Sequence, residues 1–219
     1  ILSTGDELVE PDTIPEPSQI RNSNAAQLTA QVSAMNAIPV YMGIVPDDVE
    51  QTRLAIEQAL SKADVVLLTG GVSMGDFDFV PGILQEQKIE ILFKSIAVQP
   101  GKPTVFGFRK GKYIFGLPGN PVSSFVQFEM LVKPLLYALN GHTHKPVQLK
   151  LALGVDYVRR NSERRAFVPV TFIHTDGVIP IEYHGSAHIH AYVAADGIMS
   201  VPPGITHLKK GDLVDVRSL

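Results

Sequence analysis

The chain has 219 residues, of which 45% are hydrophobic and 19% are charged, and its formal net charge at pH 7 is -3. This composition is that of a globular protein with one large or two small domains, and the charge gives no reason to expect a nucleic acid or an anionic membrane as a partner. The absence of cysteine excludes disulfides, thiolate zinc sites and a cysteine nucleophile. No apolar run approaches the roughly 20 residues that span a bilayer, so we expect a cytoplasmic protein without a membrane segment.

The first residues look like the end of a buried strand. The chain starts on Ile1-Leu2-Ser3 and has no initiator methionine, whereas a strand usually needs about five residues. We therefore expect this chain to be a piece of a longer protein that was cut before or inside its first strand.

Up to about residue 140, strand-like and helix-like stretches alternate. Apolar residues at helical spacing predict helices over 24–35, 48–62, 79–87 and 121–139. Extended segments are predicted over 38–44, 65–69, 89–98, 104–108 and 113–116. Asp48 and Gln51 stand at capping-box positions, and Pro134 should bend the last helix. Strands that alternate with helices predict a mostly parallel, covered sheet, here assigned to a domain over residues 1–142.

After residues 142–146, which have the composition of a linker, the helical period disappears. Short strand-like runs are predicted over 148–155, 166–174, 178–183, 190–194, 198–201 and 213–216. Asp176-Gly177 is a two-residue hairpin signal. This pattern predicts a small all-β barrel or sandwich over residues 146–219.

The loop after the predicted strand 65–69 carries the strongest chemical signal. It contains three glycines, one serine and two aspartates: Gly70, Gly71, Ser73, Gly75, Asp76 and Asp78. Glycine at the end of a strand lets backbone N–H groups approach an anion closely, and the two carboxylates can hold a divalent cation beside it. Ligands of open α/β sheets usually bind at this end of the strands, so the loop predicts a phosphate and metal site.

Other segments carry weaker signals, each with a structural alternative. Ser3-Thr4-Gly5-Asp6-Glu7 follows the first strand fragment and either touches a ligand or forms a cap and turn. Asn22-Ser23-Asn24 and Asp47-Asp48 precede helices, where such residues are preferred caps. Capping explains one of the two aspartates well, and we expect Asp47 to bind a ligand or a metal.

Two rigid turns complete the set. Lys102 stands in a Pro-Gly-Lys-Pro turn and is either a phosphate or oxyanion partner or a solvated side chain. Residues 116–121 contain two prolines and two glycines before the long helix, and helix N-termini attract anions. So much backbone constraint in six residues favours a role in shaping a site.

Together these segments resemble the C-terminal two-thirds of MoeA-type molybdopterin molybdenumtransferases, the family that includes the E domain of gephyrin. The matching strings follow the family's order and cover nearly the whole chain. They are Ser3–Leu8, Asn24, Asp47-Asp48, Thr69–Asp78, Pro100–Pro103, Gly116–Ser123 and Gly185–His188. The strings GGVSMGDFD and GLPGNPVS are specific enough to make a chance resemblance improbable.

The resemblance implies a three-layer molybdopterin-binding α/β domain of the MogA type, followed by the family's C-terminal β-barrel. It implies a Mg²⁺-dependent transfer of molybdenum from molybdate into adenylylated molybdopterin, with release of AMP. By position, the catalytic acids are Glu7, Asp47 and Asp78, and the Mg²⁺ ligands are Asp47, Asp76 and Asp78. The residues that match cofactor-binding positions are Thr4, Gly5, Asn24, Gly70, Gly71, Ser73, Gly75, Lys102, Pro118, Gly119, Asn120, Pro121 and Ser186.

The chain also departs from the family. Gln99 stands where some members have lysine, which removes a positive charge before the Pro-Gly-Lys-Pro turn. The family's two N-terminal domains are absent, so the chain alone can bind ligand without turning it over. In the full-length protein the resemblance implies a homodimer that makes transient contact with the molybdopterin adenylyltransferase.

Three other functions compete with the transferase. A MogA-like molybdopterin adenylyltransferase would share the α/β domain, but the β-barrel and the GGVSMGDFDF string argue against it. A non-catalytic molybdopterin-binding or scaffold module is disfavoured by the intact acidic positions. A CinA-like nucleotide-processing enzyme is disfavoured by the GLPGNPVS string.

Overall fold

The computed structural model describes residues 1–71, 80–173, 177–182, 185 and 187–219, and these residues form two units. The first unit comprises residues 1–96 and 103–143, and the second comprises residues 97–102 and 144–219. The predicted domain boundaries, 1–142 and 146–219, differ from this division chiefly in the segment 97–102.

The strands and helices are numbered in chain order. The strands are β1 Leu2–Thr4, β2 Leu8–Val9, β3 Ile20–Arg21, β4 Ile44–Val45, β5 Val65–Thr69, β6 Glu90–Phe93, β7 Val98–Gln99, β8 Val105–Arg109, β9 Lys112–Leu117, β10 Gln148–Leu153, β11 Tyr157–Val158, β12 Arg165–Ile173, β13 Gly177–Pro180, β14 Gly197–Val201, β15 His207–Leu208 and β16 Leu213–Ser218. The helices are α1 Ser23–Ala34, α2 Val49–Lys62, α3 Val80–Glu86, α4 Pro121–Gln127 and α5 Lys133–Leu139.

A six-stranded sheet in the order β4-β1-β5-β9-β8-β6 forms the middle layer of the first unit. β4, β1, β5 and β9 are parallel to one another, and β8 and β6 are antiparallel to their neighbours. β5 is flanked on both sides and reads Val-Val-Leu-Leu-Thr without polar alternation, as expected for a strand covered on both faces. This arrangement confirms the predicted mostly parallel α/β sheet.

Two hydrophobic clusters cover the opposite faces of this sheet. One contains side chains from α2 and α3, such as Ile56 and Leu84, packed with Leu68 of β5. The other contains Leu28 of α1 and Phe128, packed with Leu67 of β5. Neighbouring β5 residues therefore point into different clusters, and the unit has three layers.

The segment from Pro121 to Leu139 is the predicted long helix, but it is not uniform. Residues Phe128–Val132 form a π-helical turn between α4 and α5, in which the N–H of Lys133 donates to Phe128 O. Pro134 follows directly and has no N–H to continue a regular ladder. Length and a mean hydropathy of 1.2 would alone allow this segment to cross a membrane, yet half of that window is buried inside the protein. Phe128, Val132 and Leu136 belong to the second cluster, so packing against the sheet accounts for its apolar character.

The second unit is a small barrel, as the resemblance predicted. Its sheet runs β13-β10-β16-β14-β12, and β13 also pairs with β12, which closes the ring. β7 pairs in parallel with the start of β12, so a segment that lies between β6 and β8 in the chain belongs to the barrel sheet. Inward-facing residues such as Val168, Val170 and Met199 form its core.

Two predicted strands are wrong in whole or in part. Within 38–44, regular pairing begins only at Ile44; Pro39 lacks an N–H, and Ile38 is 89% exposed. Residues 190–194 were predicted as a strand, but Ile189–Tyr192 is a 3₁₀ helix. There, Ala191 and Tyr192 are consecutive buried residues, whereas a strand that faces water on one side alternates. The predicted Asp176-Gly177 turn lies partly outside the described residues.

Candidate functional site

The candidate site lies where four parallel strands of the first unit end. The strand register aligns Thr4 of β1 with Val45 of β4, and it aligns Thr69 of β5 with Leu117 of β9. Ser3 in turn aligns with Thr69. The loops that follow these strands were predicted separately from the sequence, and the register brings them to the same edge of the sheet.

A cavity of about 320 Å³ opens at this edge. Eight residues predicted to be functional line it: Thr4, Glu7, Asn24, Gly70, Gly71, Pro118, Gly119 and Asn120. Sequence reasoning did not assign its other lining residues, which are Leu8, Ile20, Thr69 and Pro103. The mix of apolar walls, hydroxyls, amides and one carboxylate is that of a small-molecule site.

Gly70 allows the loops after β1 and β5 to meet. It has φ +88, and a Cβ added there would lie 2.4 Å from Thr4 O and 2.8 Å from Thr4 Oγ1. Its N–H donates to Leu117 O at 3.2 Å, so this N–H is already used and cannot bind an anion in this conformation. The N–H groups of Gly71 and Gly119 make no hydrogen bond to another described residue, and they remain the candidate anion donors.

Asn24 links the start of α1 to the loop after β9. Its Nδ2 donates to Gly119 O at 2.7 Å, and its Oδ1 accepts from Ser124 Oγ at 3.3 Å. Asn24 is 8% exposed and Ser124 is fully buried. The amide thus fixes the Gly116–Pro121 loop against α1 and lines the cavity as well.

Asn120 and Pro121 begin α4 without a side-chain cap. Asn120 occupies the N-cap position and Pro121 the first turn, yet the Asn120 side chain makes no capping hydrogen bond. The Asn120 side chain is exposed and lines the cavity, whereas Pro118 is buried. Pro121 is half-buried and shapes the start of the helix.

Glu7 and Gly5 lie close together after β1. A Cβ added to Gly5 would lie 2.5 Å from Glu7 Oε2, so the carboxylate rests against this glycine. The N–H of Gly5 donates to Val45 O at 3.3 Å, which ties the turn to the end of β4. Gly5 therefore contributes its lack of a side chain, while Glu7 offers an exposed carboxylate to the cavity.

Asp48 caps α2, whereas the side chain of Asp47 takes no part in capping. Asp48 is the N-cap of α2, and its Oδ1 accepts from Gln51 N at 2.8 Å; its own N–H donates to Pro46 O at 2.7 Å. Asp47 is exposed, and its backbone N–H donates to Asp6 Oδ1 at 3.1 Å. The Asp47 carboxylate is thus not used for capping.

Five predicted site residues cannot be placed: Ser73, Gly75, Asp76, Asp78 and Ser186 lie outside the described residues. Lys102 is exposed and belongs to the second unit. Within the described ranges, no group of three or more histidine, aspartate or glutamate side chains is arranged to hold a metal ion.

A chain of polar side chains runs behind the cavity. Thr69 Oγ1 donates to Ser3 Oγ at 3.2 Å, and Ser3 Oγ donates to Asn22 Oδ1 at 3.2 Å. Asn22 Nδ2 donates to Tyr41 Oη at 2.9 Å, and Tyr41 Oη donates to Glu10 Oε1 at 2.9 Å. Partial burial, followed by the hydrogen bond and charge of Glu10, raises the pKa of Tyr41 to about 12. The sequence predicted a helix cap at Asn22-Ser23-Asn24 but not this chain.

Comparison with known proteins agrees with the geometry. Residues 1–138 match the family model described as "Probable molybdopterin binding domain", and residues 153–219 match "MoeA C-terminal region (domain IV)". A molybdopterin molybdenumtransferase from Bacillus subtilis is 33% identical over 99% of this chain and 51% of its own length. The Staphylococcus epidermidis protein of the same name is 34% identical over 99% of this chain and 52% of its own length.

A solved structure has the same fold over nearly all of the chain. The crystal structure of a molybdopterin biosynthesis MoeA protein from Pyrococcus horikosii is 34% identical, with a TM-score of 0.85 over 99% of this chain and 53% of that one. This chain spans about half the length of the curated relatives it matches. Since one family model covers residues 1–138 and the other covers 153–219, the chain belongs to the MoeA family and carries its molybdopterin-binding domain followed by its C-terminal domain IV.

Proposed function

We propose that the cavity at the carboxyl edge of the first unit binds molybdopterin, and that the protein transfers molybdenum from molybdate into adenylylated molybdopterin with release of AMP. The observation that carries this proposal is that eight predicted site residues, from four separate segments of the chain, line one cavity. The names of the relatives supply the reaction class.

Each part of the cavity suits one part of such a ligand. The N–H groups of Gly71 and Gly119 make no hydrogen bond to another described residue, so they can donate to phosphate oxygens, and their glycines allow a close approach. Thr4 Oγ1 and the Asn24 amide offer neutral hydrogen-bonding groups. The apolar side chains of Leu8 and Ile20 offer a surface for a flat ring.

The charge balance of the cavity supports a role for Mg²⁺. Its described lining contains the carboxylate of Glu7 and neither lysine nor arginine. A ligand with phosphates would meet a negative charge there, and a divalent cation would offset that repulsion. Carboxylates are the ligands that Mg²⁺ prefers, and Glu7 and Asp47 lie on loops at this edge.

The described residues alone do not make a complete metal site, because no group of three acidic or histidine ligands is present among them. We propose that Asp47 binds Mg²⁺ together with Asp76 and Asp78. When bound, the ion would neutralise charge on the phosphates during AMP release. The residues of the chain would hold and orient the ligand: Glu7 next to Gly5, and Asn24 against the Gly116–Pro121 loop.

Binding of molybdopterin to the purified chain tests this proposal. Isothermal titration with and without Mg²⁺ should show binding that the ion strengthens. Asp47→Asn should weaken the Mg²⁺-dependent part by about tenfold or more, since it removes a proposed carboxylate ligand of the ion and interactions with charged groups contribute roughly 1.5–3 kcal/mol. Glu90→Gln is the matched control, because Glu90 is an exposed carboxylate on β6, at the far end of the sheet order from β4.

The outcomes separate the competing functions. An equal loss of affinity in both variants, or an affinity that depends neither on Mg²⁺ nor on Asp47, would contradict the assigned site. Turnover of molybdopterin with ATP would identify an adenylyltransferase instead. Ligand binding without turnover in the full-length protein, supplied with molybdate and adenylylated molybdopterin, would favour a scaffold module.

The remaining expectations rest on the family alone. We propose that the full-length protein is a cytoplasmic homodimer that meets the molybdopterin adenylyltransferase transiently. Sedimentation of the full-length protein, alone and mixed with that enzyme, would test both contacts.

A further inference from the structure

Asn22 is a buried residue whose amide oxygen and amide nitrogen are both hydrogen-bonded. It is 1% exposed. Its Oδ1 accepts from Ser3 Oγ and from Ala25 N, both at 3.2 Å, and its Nδ2 donates to Tyr41 Oη at 2.9 Å. Its backbone N–H donates to Val9 O at 2.8 Å. The residue is therefore bonded to four other segments at once.

Two of these bonds reach the strand ends that carry the cavity. Ser3 lies in β1 and accepts a hydrogen bond from Thr69 Oγ1 of β5. Thr69 lines the cavity and directly precedes Gly70. The bond to Ala25 N fixes the first turn of α1, from which Asn24 holds the Gly119 carbonyl.

The other bonds close the long loop between β1 and α1. The Asn22 N–H extends the β2–β3 pairing, in which Ile20 N–H donates to Glu7 O at 2.8 Å. Tyr41 Oη in turn donates a hydrogen bond to Glu10, which lies next to β2. Glu7, Leu8 and Ile20, three lining residues of the cavity, lie on this loop.

The chemistry of an amide explains why asparagine suits this position. Asn22 must accept from Ser3 and Ala25 and at the same time donate to Tyr41, and an ionised aspartate cannot donate. The amide also interrupts any proton relay from Thr69 to Glu10, because it does not readily exchange protons in sequence as hydroxyls do. This series of hydrogen bonds can thus fix the positions of the side chains but does not conduct protons.

We propose that Asn22 is a positioning residue that sets three walls of the cavity: the end of β5, the start of α1 and the loop that carries Glu7. Its effect on ligand affinity rests on the proposed function, whereas its effect on the walls does not. The two effects are therefore measured separately.

Amide hydrogen exchange of the unliganded chain reports directly on how firmly the cavity walls are held. Asn22→Asp keeps the helix cap and the bond from Ser3 but loses the donor to Tyr41. Tyr41→Phe removes the same bond from its other side, together with the bond that Tyr41 Oη donates to Glu10. Both variants should speed amide exchange by about tenfold at Leu8, Ile20 and Asn22. Asn161→Asp adds the same charge and keeps its single bond from Glu163 N, so exchange in the first unit should not change.

The double variant and the affinity complete the test. If Asn22 and Tyr41 act through one bond, the double variant should exchange no faster than the single ones. Molybdopterin affinity, corrected for the folded fraction, should fall about tenfold in Asn22→Asp. Unchanged exchange in both single variants would overturn the positioning role. Binding that is absent already in the unaltered chain would instead overturn the proposed function and leave the exchange result standing.

Discussion

Two cavities lined by described residues of the first unit lie at opposite ends of its helices, and the larger of these two is not the candidate site. The lower cavity, about 460 Å³, is lined by residues that end α1 and α5: Ala34, Met35, Asn36, Tyr137, Asn140 and His142. The upper cavity, about 320 Å³, is lined by loops that follow strand ends. The lower cavity lies between two helix ends, whereas the upper one lies where strand ends bring backbone and side-chain groups of several loops together. Topology, rather than size, is therefore our reason for choosing the upper cavity as the candidate site.

Of the variants considered, glycine substitutions should show the largest difference in stability between the upper and the lower end. Gly70 and Gly141 both have positive φ, +88 and +76, but an added Cβ meets Thr4 O at 2.4 Å at Gly70 and nothing within 4 Å at Gly141. Gly141→Ala should cost about 1 kcal/mol for the left-handed backbone. Gly70→Ala should cost at least about 3 kcal/mol, since the strand ends must also separate. Urea denaturation measures both.

If Gly70→Ala does not fold, Gly71→Ala can replace it in the comparison of stability costs. An added Cβ there would lie 3.1 Å from Thr4 Oγ1 and 3.3 Å from Val80 Cγ2, so we expect a cost between the other two. Equal costs at Gly70 and Gly141 would mean that the close approach at the upper cavity contributes nothing to stability.

Two asparagine substitutions, one at each cavity, should have smaller effects on stability and should differ in their effect on ligand binding. Asn24→Ala removes the bonds to Gly119 O and from Ser124 Oγ at the upper cavity. Asn140→Ala removes a bond to Leu136 O at the lower one. Each should lose about 1 kcal/mol of stability, but only Asn24→Ala should weaken molybdopterin binding, by about tenfold in a calorimetric titration. Weaker binding in Asn140→Ala would place the ligand at the wrong end of the unit.

The sequence predicted the α/β sheet and the segments of the upper cavity because both depend on local patterns. Apolar spacing defined α1 and α2, and the glycine and proline strings marked the loops after β5 and β9. The uses of Gly5 and Gly70 were not predictable in the same way. Their N–H groups pair with Val45 O and Leu117 O, which lie 40 or more residues away and become neighbours only through the strand register.

The same limit explains the two mistaken strands and the missed positioning residue. Ile38 and Val40 fit a strand pattern, yet no strand of the described residues pairs with them, and they stay exposed at 89% and 44%. Asn22 could be recognised as a helix cap from its position before α1. Its bonds to Ser3 and Tyr41 depend on tertiary contacts that a local pattern does not contain.

The smallest predicted effect concerns the outer end of the polar chain behind the upper cavity. Burial, and then Glu10, raise the pKa of Tyr41 from 10.0 to about 12. Because the folded value lies above the unfolded one, the protonated phenol favours the folded state. The contribution of Tyr41 to stability is therefore complete below pH 10 and is lost as the pH rises towards 12. Denaturation measured across this window should show Tyr41→Phe losing less stability with rising pH than the unaltered chain.

Glu10→Gln separates the two causes of this shift. It removes the carboxylate that accepts from Tyr41 Oη, so the pKa of Tyr41 should fall, while burial, the largest single cause of the shift, remains. The chain has six tyrosines, so the ultraviolet titration must be read as a difference from Tyr41→Phe. A Tyr41 pKa that Glu10→Gln leaves unchanged would mean that the chain of bonds ends at Tyr41 in solution. The loop that carries Glu7 would then lose one support on its side of the cavity, and it would keep the backbone bonds of Gly5, Ile20 and Asn22 and the bond from Asp47 N–H to Asp6.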